Sequence, residues 1–138
     1  MVDIYVKYEG ELRCAARHGP SSSQLTADAP VDNHGRGAAF SPTDLVATAL
    51  GTCMLTTMGI RALKEGWVIA GIDMHVKKQM SAELPRRIAR LTVTATVPPE
   101  VSAKLDGEAR AVLEHTAHTC PVRISLHDQI DVPVTFNW

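Results

Sequence analysis

The chain has 138 residues, 45% of them hydrophobic and 21% charged, enough to bury one core and too apolar for a disordered chain. Fourteen Lys and Arg stand against fifteen Asp and Glu, a formal net charge of −1, so no basic excess points to nucleic acid as a partner. Charges interrupt every apolar stretch short of the roughly 18 to 20 residues of a spanning helix, and MVDIYVKYEGEL lacks the apolar region of a signal peptide, so a single cytoplasmic domain over residues 1–138 with no membrane partner is expected.

Residues 2–8, VDIYVKY, alternate β-branched and aromatic side chains. ELRCAAR and SQLTADA follow between Gly-Pro-Ser turn signals, which predicts an antiparallel meander. Residues 31–39, VDNHGRGAA, have two glycines and no periodicity and read as a loop. Ser41-Pro42-Thr43-Asp44 then combines an N-cap serine, a proline at the first helical position and an acid three residues past the cap. A helix is expected from Pro42 to about Glu65, stopping at Gly66. Its residues 45–60 are small or apolar on every side, which reads as a helix buried all round, with Gly51 and Gly59 marking close packing against another backbone.

Two strand-like stretches, VIAGIDMHVKKQM and RRIARLTVTATV, pair as a hairpin across SAELP. Pro98-Pro99-Glu100 opens a second helix, with Val101, Leu105, Ala109, Val112 and Leu113 at helical spacing to about His115. The segment 123–137, containing IDVPVTF, closes the sheet. The predicted fold class is therefore α+β: an N-terminal β-meander, a long buried central helix, a hairpin, a second helix and a C-terminal strand.

Cys14, Cys53 and Cys120 are too few and too widely spaced for a secreted disulfide framework, and no C-x-x-C occurs. They are free thiols, a redox pair or core filler. Cys14, on a strand expected near the sheet edge, reads as packing, and Met54, Met58 and Met74 as core. His115, His118 and Cys120 form H-x-x-H-x-C, residue types that zinc accepts, and His18, His34, His75 and His127 could be recruited in space. That spacing matches no finger or ribbon, and two histidines at a helix end also complement its dipole. A hydrolase with His115 or His118 as base to a cysteine is a further reading, although nothing in the chain suggests an oxyanion hole.

FSPTDLVATALGTC, residues 40–53, together with Cys120-Pro121-Val122, resembles the OsmC/Ohr family of thiol-dependent peroxidases, and the order of elements is similar over essentially the whole chain. The resemblance implies an intertwined homodimer with active sites at the subunit interface. It implies that Cys53 attacks an organic hydroperoxide and that Cys120 resolves the sulfenic acid as a disulfide. The reductant is then an external dithiol or lipoyl-type thiol, and no metal or organic cofactor is needed. A sulfenate must meet a thiol before it over-oxidises, so the two cysteines have to be close in space and not in sequence.

A cysteine buried in an apolar helix ionises late, and three turns past the N-cap the helix dipole helps little, so a cation has to reach Cys53. The resemblance implies an arginine from the N-terminal sheet or the following loop, held by an acid near the start of the helix. The candidates are Arg13, in a strand, and Arg36, in the loop before the helix, with Arg36 slightly favoured. Thr43 stands where the most similar peroxidases have glutamate. Asp44, one residue on, is rotated by roughly 100° and reads as a cap. The other expectation is an OsmC-fold protein that binds a small apolar or thiol ligand without turnover, distinguished by whether a guanidinium reaches the Cys53 sulfur.

Overall fold

β1 (Ile4–Gly10), β2 (Arg13–His18) and β3 (Gln24–Asp28) form an antiparallel three-stranded sheet in chain order, the expected meander. The structure is a computed structural model describing residues 1–138, and the chain divides into two compact units, Met1–Val46 and Ala47–Trp138. In the first unit, Glu11 and Leu12 both adopt positive φ, 50° and 62°, the geometry that a two-residue hairpin turn requires to match the strand twist. Strand alternation sorts the sheet into two faces. Ile4, Val6, Tyr8, Cys14, Ala16 and Leu25 share an apolar one, and Tyr5, Lys7, Arg13, Arg17 and Asp28 the other. Cys14 lies on the central strand between Tyr8 and Ala27, not at an edge.

The first six residues of β1 are exposed in the single chain, and Leu25 on the same apolar face is 45% exposed. Three strands with one uncovered apolar face are marginal by themselves. The loop after β3 contains a short 3-10 turn, Val31–Asn33, where no regular element was expected. It is tied back to Asp28, whose N–H donates to the Phe40 carbonyl at 3.1 Å and whose Oδ2 accepts from the Ala38 N–H at 3.0 Å.

α1 (Pro42–Glu65) has the expected bounds. The Ser41 N–H donates to Asp44 Oδ2 at 2.8 Å and the Asp44 N–H donates to Ser41 Oγ at 3.1 Å, a reciprocal cap. Gly66 follows with φ 73°, the left-handed stop. Burial departs from expectation: Ala47, Leu50, Gly51, Met54, Met58 and Ala62 form one buried stripe, while Ile60 and Leu63 are exposed. One chain of this length covers one side of a helix, not its circumference. By length and composition α1 could also cross a bilayer, so its charges do not exclude that as the sequence pattern suggested, but its stripe packs into a protein core. A Cβ on Gly51 would come within 3.0 Å of Val76 Cγ2, so that glycine meets a side chain rather than a backbone. Gly59 has open space around it and marks no close packing.

In the second unit β4 (Asp73–Met80) and β5 (Ile88–Thr96) form the expected hairpin, and β6 (Val134–Asn137) joins β5 in parallel. The C-terminal strand therefore belongs to a second sheet, ordered β4-β5-β6, and does not close a single continuous one. Parallel pairing needs a long crossover, which the intervening helices supply. Leu50, Met54, Met58, Leu91, Val93 and Leu113 are wholly buried and form its core.

The expected second helix is broken into α2 (Pro99–Ser102) and α3 (Gly107–His118). Asp106 caps α3 by accepting from the Ala109 N–H at 2.8 Å. Arg110 closes the break, donating from Nε to the Leu105 carbonyl at 3.0 Å and from Nη2 to the Ser102 carbonyl at 2.8 Å. A further short helix, α4 (Pro121–Ser125), lies where only extended chain was expected.

Candidate functional site

Cys53 lies midway along α1 and is half-buried, whereas Cys120 is wholly buried between α3 and α4. Both are free thiols, and Cys53 lies near enough to Cys120 to raise its pKa. The local sequence explains where Cys120 sits. α3 ends at His118, and Pro121 starts α4 at its first position, where a missing N–H costs nothing. Cys120 is left in extended backbone as the N-cap, and its sulfur accepts the Arg123 N–H at 3.4 Å, as a serine oxygen would at the same position.

Burial pushes the Cys120 thiol above 9.0, and the adjacent Cys53 thiol pushes it further; the backbone N–H groups of Arg123 and Val122 pull the other way without reversing the shift. Cys120 is therefore a neutral thiol at neutral pH. The raised value has a stability consequence. Below about pH 9 the thiol is neutral in both folded and unfolded chains, so stability is unaffected. Above it the unfolded chain ionises first, and stability falls as pH rises towards the folded value. Urea midpoints measured from pH 8 to 11 should fall less steeply for Cys120→Ser than for the unmodified chain; equal slopes would show that burial does not hold this thiol neutral.

An open pocket of about 270 Å³ is lined by Thr57, Ile60, Arg61 and Lys64 of α1 with Thr116 and Thr119. Thr57 is one turn past Cys53 and donates to its carbonyl at 2.9 Å, and Thr119 directly precedes Cys120. The lining is basic and hydroxylic, with one isoleucine, rather than uniformly apolar. Arg61 is held by Glu65 at 2.9 Å.

The two candidate arginines differ in state. Arg36 pairs with Glu11 at the surface, its side chain 60% exposed. Arg13, at the start of β2, has its Nε buried with no hydrogen-bond partner. Directly opposite Arg13 on β3 is Asp28, 1% exposed; its Oδ1 likewise has no partner. Sequence reasoning did not single out Asp28. TADAP carries no motif, and only strand register shows which residue it faces. His115 and His118 lie in the last turn of α3, and no three His, Cys, Asp or Glu side chains converge to hold a metal ion.

The family model described as OsmC-like protein matches residues 34–135. No curated protein matches the chain. Among solved structures, a Psychrobacter arcticus protein provisionally named an osmotic stress induced and detoxification response protein is 42% identical, with a TM-score of 0.90, covering 99% of this chain and 96% of that one. An organic hydroperoxide resistance protein from Legionella pneumophila is similar in fold at 16% identity, with a TM-score of 0.77 over 100% of this chain and 97% of that one. A Vibrio cholerae protein, provisionally named an organic hydroperoxide resistance protein and holding captopril in one of its active sites, has 17% identity and a TM-score of 0.76 over 99% of this chain and 91% of that one.

Proposed function

The chain belongs to the OsmC-like protein family, and from that premise we propose that it is a thiol-dependent peroxidase reducing organic hydroperoxides through Cys53 and Cys120. The observation that carries the reading is the proximity of two free thiols that lie far apart in sequence. The Cys53 thiolate attacks the terminal peroxide oxygen, the O–O bond breaks, and the departing alkoxide takes a proton from water and leaves as the alcohol. Cys53 is then a sulfenic acid. The Cys120 thiol attacks its sulfur, an S–S bond forms, and water leaves. An external dithiol or lipoyl-type reductant reopens the disulfide by exchange, so the cycle needs no metal or organic cofactor. The division of labour follows from access and protonation. Cys53 is the more exposed, while Cys120 is buried and neutral and stays out of the first step.

The cation that assists Cys53 is assigned to Arg13 ahead of Arg36, because Arg36 is paired with Glu11 at the surface whereas the buried Nε of Arg13 has no partner. The working form is a homodimer whose two copies cover the apolar face of the N-terminal sheet, and residues 1–138 act as one functional domain, since the family match runs across the division between its two units. Three free thiols suit the reducing cytoplasm. The second reading, binding of a small apolar or thiol ligand without turnover, draws on the captopril-bound relative.

A turnover assay with dithiothreitol as reductant separates the two. The peroxidase reading expects an alkyl hydroperoxide to be consumed catalytically and faster than hydrogen peroxide. Binding of thiols with no consumption of either peroxide would establish the second reading instead.

A further inference from the structure

We infer that Asp28 is the positioning residue for the Arg13 guanidinium; the inference rests on the proposed activation of Cys53 by Arg13. The acid expected for this task lies near the start of α1, but Thr43 has no carboxylate, and Asp44 accepts the Ser41 N–H as a cap. Asp28 is a carboxylate within the same unit as Arg13 and faces it. The two are directly opposed in the antiparallel β2–β3 ladder, which puts their Cβ atoms about 4.5–5.5 Å apart on one face of the sheet. Each carries a buried atom without a partner, Nε on the arginine and Oδ1 on the aspartate.

A buried polar atom left without a partner is costly, and both of these are relieved by the same change, a side-chain rotation that brings Nε–H to Oδ1. Asp28 is itself fixed. Its backbone N–H donates to the Phe40 carbonyl, and its Oδ2 accepts from the Ala38 N–H, so one carboxylate oxygen is anchored to the loop entering α1 and the other is left for the arginine. A residue held through its backbone and one carboxylate oxygen gives the long arginine side chain one orientation, which is what a residue acting on a thiolate needs.

Asp28→Asn separates this role from loop tethering, because the amide oxygen can still accept from Ala38 while the charge is gone. Two readouts are compared in the full chain, Asp28→Asn, Arg13→Met and the double variant. The first is the Arg13 Nε–H resonance, assigned by its loss in Arg13→Met. It should be shifted and protected from solvent exchange in the unmodified chain and lose both features in Asp28→Asn. The second is iodoacetamide alkylation of Cys53 at pH 7, followed by peptide mass spectrometry. Each single variant should slow it severalfold, because the cation that favours the reactive thiolate is removed or misplaced, and the double variant should slow it no further. Alkylation slowed by Arg13→Met but not by Asp28→Asn overturns the inference and leaves activation by Arg13 standing. Alkylation unchanged in both shows that Arg13 does not activate Cys53, and both statements fall.

Discussion

Cys53→Ser should abolish hydroperoxide consumption, while Cys120→Ser should consume one equivalent of peroxide per chain rapidly, a second slowly, and then stop. The first loss should be on the order of a thousandfold or more, the scale on which removing a catalytic nucleophile acts. A serine hydroxyl is far less acidic than a thiol and cannot form a sulfenate. In the second variant Cys53 still attacks, but the neighbouring thiol that would resolve it is gone. Sulfenic acid then persists, and excess peroxide carries it to sulfinic acid. Mass spectrometry of the Cys53 peptide after one and then ten equivalents of peroxide reads both stages. Cys14→Ser should change nothing, since Cys14 has no place in the proposed cycle. Full turnover in Cys53→Ser would remove the peroxidase mechanism, and sustained turnover in Cys120→Ser would remove the resolving role of Cys120.

Val6→Asp should convert a stable dimer into a monomer at micromolar concentration. Val6 is 66% exposed in the single chain, in a row with Ile4 and Tyr8 on the apolar face of the N-terminal sheet. A second copy covering that face should bury an interface of roughly 2,000 Å² or more. A carboxylate placed in its middle has no partner, at a cost of several kcal/mol, and about 4 kcal/mol is already a thousandfold in dissociation constant. Sedimentation velocity across a dilution series measures this directly, with Lys7→Asp, on the opposite face of β1, as the control that should stay dimeric. An unmodified chain that sediments as a monomer at micromolar concentration would remove the dimer, and a Val6→Asp chain that stays dimeric would move the interface elsewhere.

The bounds of α1 were legible in the sequence because their causes are local: Ser41 and Asp44 cap each other across three residues, and Gly66 ends the helix through its own φ. The meander and the β4–β5 hairpin were legible for the same reason, since alternation and turn residues act within a few positions. The break between α2 and α3 had its local signal in Asp106-Gly107, but apolar spacing on either side ran through it and hid the cap.

Cys53 and Cys120 could be paired in advance only through family resemblance, because nothing in the composition of α1 says what stands beside its middle turn. Their proximity, and the burial that keeps Cys120 neutral, exist only once α1 and the α3–α4 junction pack together. The parallel pairing of β6, the single buried stripe of α1, the pairing of Arg36 with Glu11 and the opposition of Arg13 and Asp28 are of the same kind. Propensity and capping are energies of neighbouring residues and can be read along a chain. Register, burial and charge pairing depend on which distant surfaces meet, and only the tertiary structure decides that.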